Sequence, residues 1–128
     1  MKIENIKFKA KRLDNGEWII GSFVVMKIPA LSKTTIGIVA AGGATLHEID
    51  TATVCQFTGL KDCKGNEIWE HDLIHFVGHK PTGEVIWSEE DYAFMVASEN
   101  EPLYWLSDVL EIGKIERIGN KFDKEGKV

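Results

Sequence analysis

The feature that most constrains this chain is a strict alternation near its start. Ile6, Phe8 and Ala10 alternate with Lys7, Lys9 and Lys11. A period of two sends successive side chains to opposite faces of an extended segment, so this stretch reads as a strand with one buried face and one wet face. Asp14-Asn15-Gly16 follows, and Asn and Gly accept the positive φ that tight turns require. Residues 17–28 read as a second strand carrying Trp18, Ile20 and Val24, so the two form a β-hairpin. Gly21, inside that strand, marks an expected bulge. Pro29 has no N–H to give to a ladder and ends the strand.

Short extended segments continue to the end of the chain. Residues 36–40 read as a short strand. Ala41-Gly42-Gly43-Ala44 reads as a plain loop, because neither GxGxxG nor a GK[ST] ending is present to cradle a phosphate. Residues 46–57 read as one or two strands, and Lys64-Gly65-Asn66 as another turn. Residues 73–77 are β-rich; Pro81-Thr82-Gly83 closes a hairpin onto residues 84–87, and residues 92–97 return beside them. Ser107 is an expected N-cap for a short helix or turn over residues 107–110, residues 112–118 form a last strand, and residues 120–128 form a charged tail expected to fray. Strands this short, with glycine turns between them, imply a mainly β fold (β-rich α+β), a small barrel or sandwich.

Composition narrows the function classes. No apolar run approaches the length of a membrane span, and the start, with five Lys or Arg among its first 13 residues, has no apolar signal core. A cytoplasmic protein with no membrane partner is therefore expected. Cys55 and Cys63 are the only cysteines, too few for a disulfide framework and not spaced for zinc, so both are expected to be reduced. The net charge of −5 weighs against general nucleic-acid binding. The charge is uneven, however. Residues 1–13 hold Lys2, Lys7, Lys9, Lys11 and Arg12 against Glu4 alone, whereas residues 81–111 hold eight acids and no Lys or Arg. These are either two solvated faces or surfaces that complement each other, within the fold or between copies.

No catalytic, metal or cofactor constellation emerges. His71, His75 and His79 recur every four residues, but on a strand such neighbours stand about 13 Å apart, too far to share a metal. Glu89-Glu90-Asp91 lies between Trp87 and Tyr92 and reads as a hairpin tip in water rather than an acid–base pair. No GxSxG elbow frames a nucleophile. Trp69, Trp87, Tyr92, Phe94, Tyr104 and Trp105 crowd the second half, as core or as a contact groove. Tyr104 and Trp105 are adjacent, so a strand can turn only one of them inward, and the pair is a candidate partner contact. Lys7, Lys9 and Arg12 on the first strand are the candidates should the partner be a nucleic acid.

The run from Gln56 through Thr58-Gly59-Leu60-Lys61-Asp62, with Gly65-Asn66-Glu67-Ile68-Trp69-Glu70-His71-Asp72-Leu73-Ile74 after it, resembles the central signature of the YopX family of phage and prophage proteins. Ile6 to Ala10, Glu84-Val85-Ile86-Trp87 and Glu116-Arg117-Ile118-Gly119-Asn120 resemble that family's opening, later and closing strands. The resemblance implies one domain over residues 1–120, with an N-terminal β-hairpin part over 1–52 and a C-terminal SH3-like small barrel over 53–120, then a flexible tail over 121–128. It implies a phage or prophage gene acting in the bacterial host cytoplasm, and it carries over no biochemical activity and no catalytic residue. His71 stands where the family usually has Gly, a position suggesting positive φ. The signature's glycines and Asx residues read first as turn formers, with Trp69 packed inward. The functional expectation is a non-catalytic accessory protein that binds an unknown protein and forms a homo-oligomer. The alternatives are a nucleic-acid-binding regulator using the basic first strand and an enzyme of unrecognised type.

Overall fold

The computed structural model describes residues 2–76, 82–99 and 103–123. Ten strands and one short α-helix divide into two compact units, residues 1–57 and 58–128. The fold is mainly β, and both sheets are antiparallel. No helix among the described residues is long and apolar enough to cross a membrane.

In the first unit, β1 (Phe8–Arg12) and β2 (Trp18–Ile28) form the expected hairpin. Gly16 takes φ 72° in its turn, and Asn15 Oδ1 accepts from the Glu17 amide. β2 pairs with β3 (Lys33–Ala40), β3 with the start of β4 (Leu46–Lys61), and β4 returns to β1. That circuit closes four strands on themselves and leaves no free edge around the core. Ala10, Ile19, Ile38 and Ile49 fill it.

Closure needs a local irregularity, which β4 supplies. Lys9 opposes Cys55 but Lys11 opposes Asp50, so β4 carries extra residues between these pairs. Thr53, buried there, accepts from the Lys11 amide at 2.8 Å and donates to the Asp50 carbonyl at 2.7 Å. The expected bulge at Gly21 is absent. Gly21 keeps register with both Phe8 and Ala40. What the position needs is a missing side chain, since a Cβ there would overlap the Val39 carbonyl oxygen.

The alternation at the start needs a second correction. Ile6 precedes the strand and is exposed, whereas Lys9 is buried, only 6% exposed. Its ammonium lies 4.5 Å from the Trp18 ring centre and that of Lys11 lies 5.0 Å away. Trp18 opposes Lys11 across the hairpin, so the lysine stems cover its ring while a cation–π contact holds the charges.

In the second unit the end of β4 pairs with β5 (Glu67–Trp69). The second sheet runs in the order β10-β6-β7-β8-β9, built from β6 (Asp72–Phe76), β7 (Thr82–Ser88), β8 (Ala93–Ala97), β9 (Tyr104–Trp105) and β10 (Ile115–Asn120). Helix α1 (Leu106–Ile112) inserts Leu106 and Val109 into a core of Ile68, Ile74, Val85, Val96 and Ile115. The helix is N-capped by Trp105 rather than Ser107, with no side-chain cap bond. Gly59, one of the signature glycines expected to form a turn, lies instead within β4, which runs on to Lys61, and its φ of 84° bends the strand. Thr58 Oγ1 steadies the bend by donating to the Ile68 carbonyl and accepting from the Leu60 amide. Of the turn expected at Pro81-Thr82-Gly83, Pro81 lies outside the described residues, and Thr82 and Gly83 belong to β7, paired with β6.

Gly21→Ala is expected to lower the free energy of unfolding by about 2 kcal/mol, because the added methyl has backbone on its far side and nowhere to go. Ser22→Ala, next to it and exposed, should stay within about 0.5 kcal/mol of the wild type. Urea titrations followed by tryptophan fluorescence give both values.

Candidate functional site

The central signature residues converge on one buried polar cluster. The Asp72 side chain is fully buried. Its Oδ2 accepts from the Trp69 amide at 2.7 Å and from Arg117 Nε at 2.8 Å, and its Oδ1 accepts from Asn120 Nδ2 at 2.8 Å. One carboxylate thus ties the end of β5 to β6 and to the middle and the end of β10. Asn120 also donates to the Glu70 carbonyl, and its own Oδ1 accepts from the Phe122 amide. Residues 120–123 therefore form an ordered turn, not the start of a frayed tail; residues 124–128 lie outside the described set.

Asp62 plays the matching part at the preceding turn. Its Oδ1 accepts from the Lys64 and Asn66 amides, and its Oδ2 from Asn66 Nδ2 and the Arg117 amide. Burial disfavours its charge, but these donors outweigh that cost and hold its pKa below the ordinary aspartate value. Asp62 accepts four hydrogen bonds and Asp72 three, an engagement that suits scaffolding.

His71 takes φ 70°, the left-handed geometry that the family's usual glycine implies. Its amide donates to the Val85 carbonyl, its carbonyl accepts from the Lys121 amide, and its ring packs edge-on to Phe122. His71 Nδ1 lies 2.8 Å from Glu84 and His75 Nε2 lies 3.2 Å from Glu116. The two imidazoles thus face different carboxylates, and residues 72–76 form a strand, not a helix. His79 lies outside the described residues. Among the described residues no group of three His, Cys, Asp or Glu could hold a metal ion. Cys55 is buried, its thiol donating to the Thr53 carbonyl at 3.3 Å, and Cys63 is exposed; the two are not joined in a disulfide.

Lys7, Lys9 and Arg12 are each engaged within the first unit. Lys7 sits over the Phe57 ring at 4.8 Å and Lys9 over Trp18, while Arg12 forks onto Asp14 at 2.6 and 3.0 Å. That fork holds the Asp14 carboxyl below its usual pKa. These three side chains do not form a bare cationic stripe.

The aromatic residues divide cleanly. Trp69 is buried as expected. Trp87 and Phe94 oppose each other on β7 and β8 and meet edge to face, 5.1 Å apart, with Trp87 still exposed. Tyr104 and Trp105 pair with Val96 and Met95 and form the two-residue outer strand of the sheet. Each is 46% exposed, so neither is turned fully inward, although adjacent strand residues point to opposite faces. The tip between β7 and β8 presents Glu89, Glu90, Asp91 and the prominently exposed Tyr92. Ser88 braces it, its Oγ accepting from the Asp91 amide and donating to the Asp91 carboxylate. A sheet edge flanked by half-exposed rings and acids is a surface suited to protein contact.

These features define a small two-unit antiparallel β protein, in which Asp62, Ile68, Trp69, Asp72 and Ile74 of the signature are buried and half-exposed rings lie at a sheet edge. The YopX protein family profile matches residues 7–125, and the chain belongs to that family. No curated protein matches the chain.

Asp72→Ala should cost about 3–5 kcal/mol, because it strands Arg117 and the Asn120 amide together; urea unfolding measures it. The depressed pKa of Asp62 contributes stability that is complete above the unfolded-state value and lost as pH falls through the folded one. Unfolding free energy should therefore decline below about pH 4, and Asp62→Asn should flatten that decline, in urea titrations repeated from neutral to acid pH.

Proposed function

We propose that this protein is a non-catalytic accessory factor, encoded by a phage or prophage and acting in the bacterial host cytoplasm, which works by binding protein through the β7–β9 surface. One observation carries this reading: Tyr104 and Trp105, both half exposed, form a strand that is the outermost of its sheet among the described residues, a position from which a strand can accept another chain's backbone. The meander from β6 to β9, with β10 returning beside β6, supports viewing this unit as an SH3-like barrel, an architecture that often uses aromatic grooves for peptides. The engagement of Asp62 and Asp72 by internal donors supports a scaffolding role for the signature rather than a catalytic one. The engagement of Lys7, Lys9 and Arg12 with rings and with Asp14 favours protein over nucleic acid as the partner.

The test is affinity capture from induced lysogenic cells with tagged wild-type chain and the Tyr104→Ala/Trp105→Ala variant, both shown folded by circular dichroism. Proteins retained by the wild type and lost by the variant are the expected outcome. Identical sets from both baits would overturn this surface as the contact site.

A further inference from the structure

The first unit has a part that its own core does not cover. β1 pairs with β2 only over Trp18–Gly21, and β4 pairs with β3 only over Gly37–Val39. Among the described residues β2 therefore pairs only with β3 from Ser22 to Ile28, with the Phe23 ring meeting Phe8 of β1 at 5.6 Å, and residues 33–36 of β3 pair only with β2. Residues 22–36 form a two-stranded arm beyond the closed circuit of strands. Two strands alone are marginally stable in water, and long bare edges invite pairing.

The arm is apolar where it is bare. Ile19, Phe23 and Val25 lie at alternate positions of β2, the face that begins in the core, and Ile38 and Ile36 continue it across the hairpin. Exposure climbs along that face of β2 from 9% at Ile19 to 37% at Phe23 and 49% at Val25, while on β3 Ile36 stays packed against the core. Met26 on the other face and Leu31 at the tip are exposed as well. The tip is fixed rather than loose: Pro29 opens a single 3-10 turn, and Ser32 closes it at φ 49° with its amide donating to the Pro29 carbonyl.

Charge selects the occupant. Between Trp18 and Ala40 there is no Asp or Glu, and the arm's charges are the exposed Lys27 and Lys33. Arm against arm would set lysine beside lysine. The β7–β9 surface has the opposite character: Glu89, Glu90, Asp91 and Glu99 are all exposed, no Lys or Arg occurs between residues 81 and 111, and Trp87, Tyr92, Tyr104 and Trp105 offer apolar area. We infer that the arm of residues 22–36 docks on the β7–β9 surface of a second copy of this chain, apolar face to aromatic rings and Lys27 and Lys33 to the acidic tip. The interface is heterologous, so it closes by reciprocal exchange in a dimer or as a ring. This rests on the β7–β9 surface being a protein-contact surface, and it names that surface's partner.

The experiment is sedimentation velocity on the purified full chain across a dilution series. The wild type should self-associate reversibly, more weakly at higher salt. Two variants reverse one side each, Lys27→Glu/Lys33→Glu on the arm and Glu89→Lys/Glu90→Lys on the tip. Each alone should associate about tenfold or more weakly, with far-UV circular dichroism unchanged. Mixed together they should associate again, because each arm then meets a face of opposite sign. Val25→Ser, which leaves all charges in place, should also weaken association. A wild type that is monomeric at every concentration would overturn the inference, and if that monomer still lost cellular partners through Tyr104→Ala/Trp105→Ala, the contact-surface reading would stand without it. Association that ignores both charge reversals and the Tyr104→Ala/Trp105→Ala change would overturn both.

Discussion

A single carboxylate holds the second unit together. Asp72 is shut off from water at the corner between β5 and β6, where a lone charge would be prohibitive. It is tolerable there only because a backbone amide, a guanidinium and a carboxamide all converge on it. Those three donors come from Trp69, Arg117 and Asn120, separated by up to 51 residues of chain. Satisfying one buried group therefore fixes where the first and last strands of the unit must meet. Arg117 takes part twice, its side chain on Asp72 and its amide on Asp62, so the two aspartates share one strand as their common anchor.

Seen from that anchor, the hydrophobic core is arranged around geometry that the polar groups specify. Ile68 and Ile74 flank the Asp72 corner in sequence, and both are buried in the same cluster as Ile115, near the start of the strand that ends at Asn120. Apolar burial supplies most of the driving force but is indifferent to register. The directional bonds to Asp62 and Asp72 choose one pairing among those that would bury similar area. The positive φ at Gly59 and His71 lets the chain bend tightly enough to bring these donors in.

Much of this was legible in the sequence, and the failures have physical causes. The β class, the Asn15-Gly16 hairpin and the inward Trp69 follow from local rules of period and turn chemistry, and the left-handed residue at His71 follows from the resemblance to a family that usually has Gly there. Lys9 was misread because alternation reports polarity, not solvent: the Trp18 ring on the same face gives the lysine stem a reason to be covered. Gly21 looked like a bulge because a glycine in a strand signals either a bend or a close approach, and only the position of the Val39 carbonyl distinguishes them. Asn120 was assigned to the tail because a terminal Asn followed by charges looks frayed, and its partner Asp72 lies 48 residues away. The β7–β9 surface was half visible, since adjacency required one ring of Tyr104-Trp105 to face out, but the exposure of both depends on the strand being only two residues long.

The way the signature is spent has a consequence for how such a protein can diversify. The buried part of the signature, Asp62, Ile68, Trp69, Asp72 and Ile74, consists of interior fittings, while Tyr104, Trp105 and the acids of the hairpin tip are exposed. Exchange of those surface side chains therefore costs folding little, and under the proposed binding role two relatives with the same Asp72 corner need share no client at all.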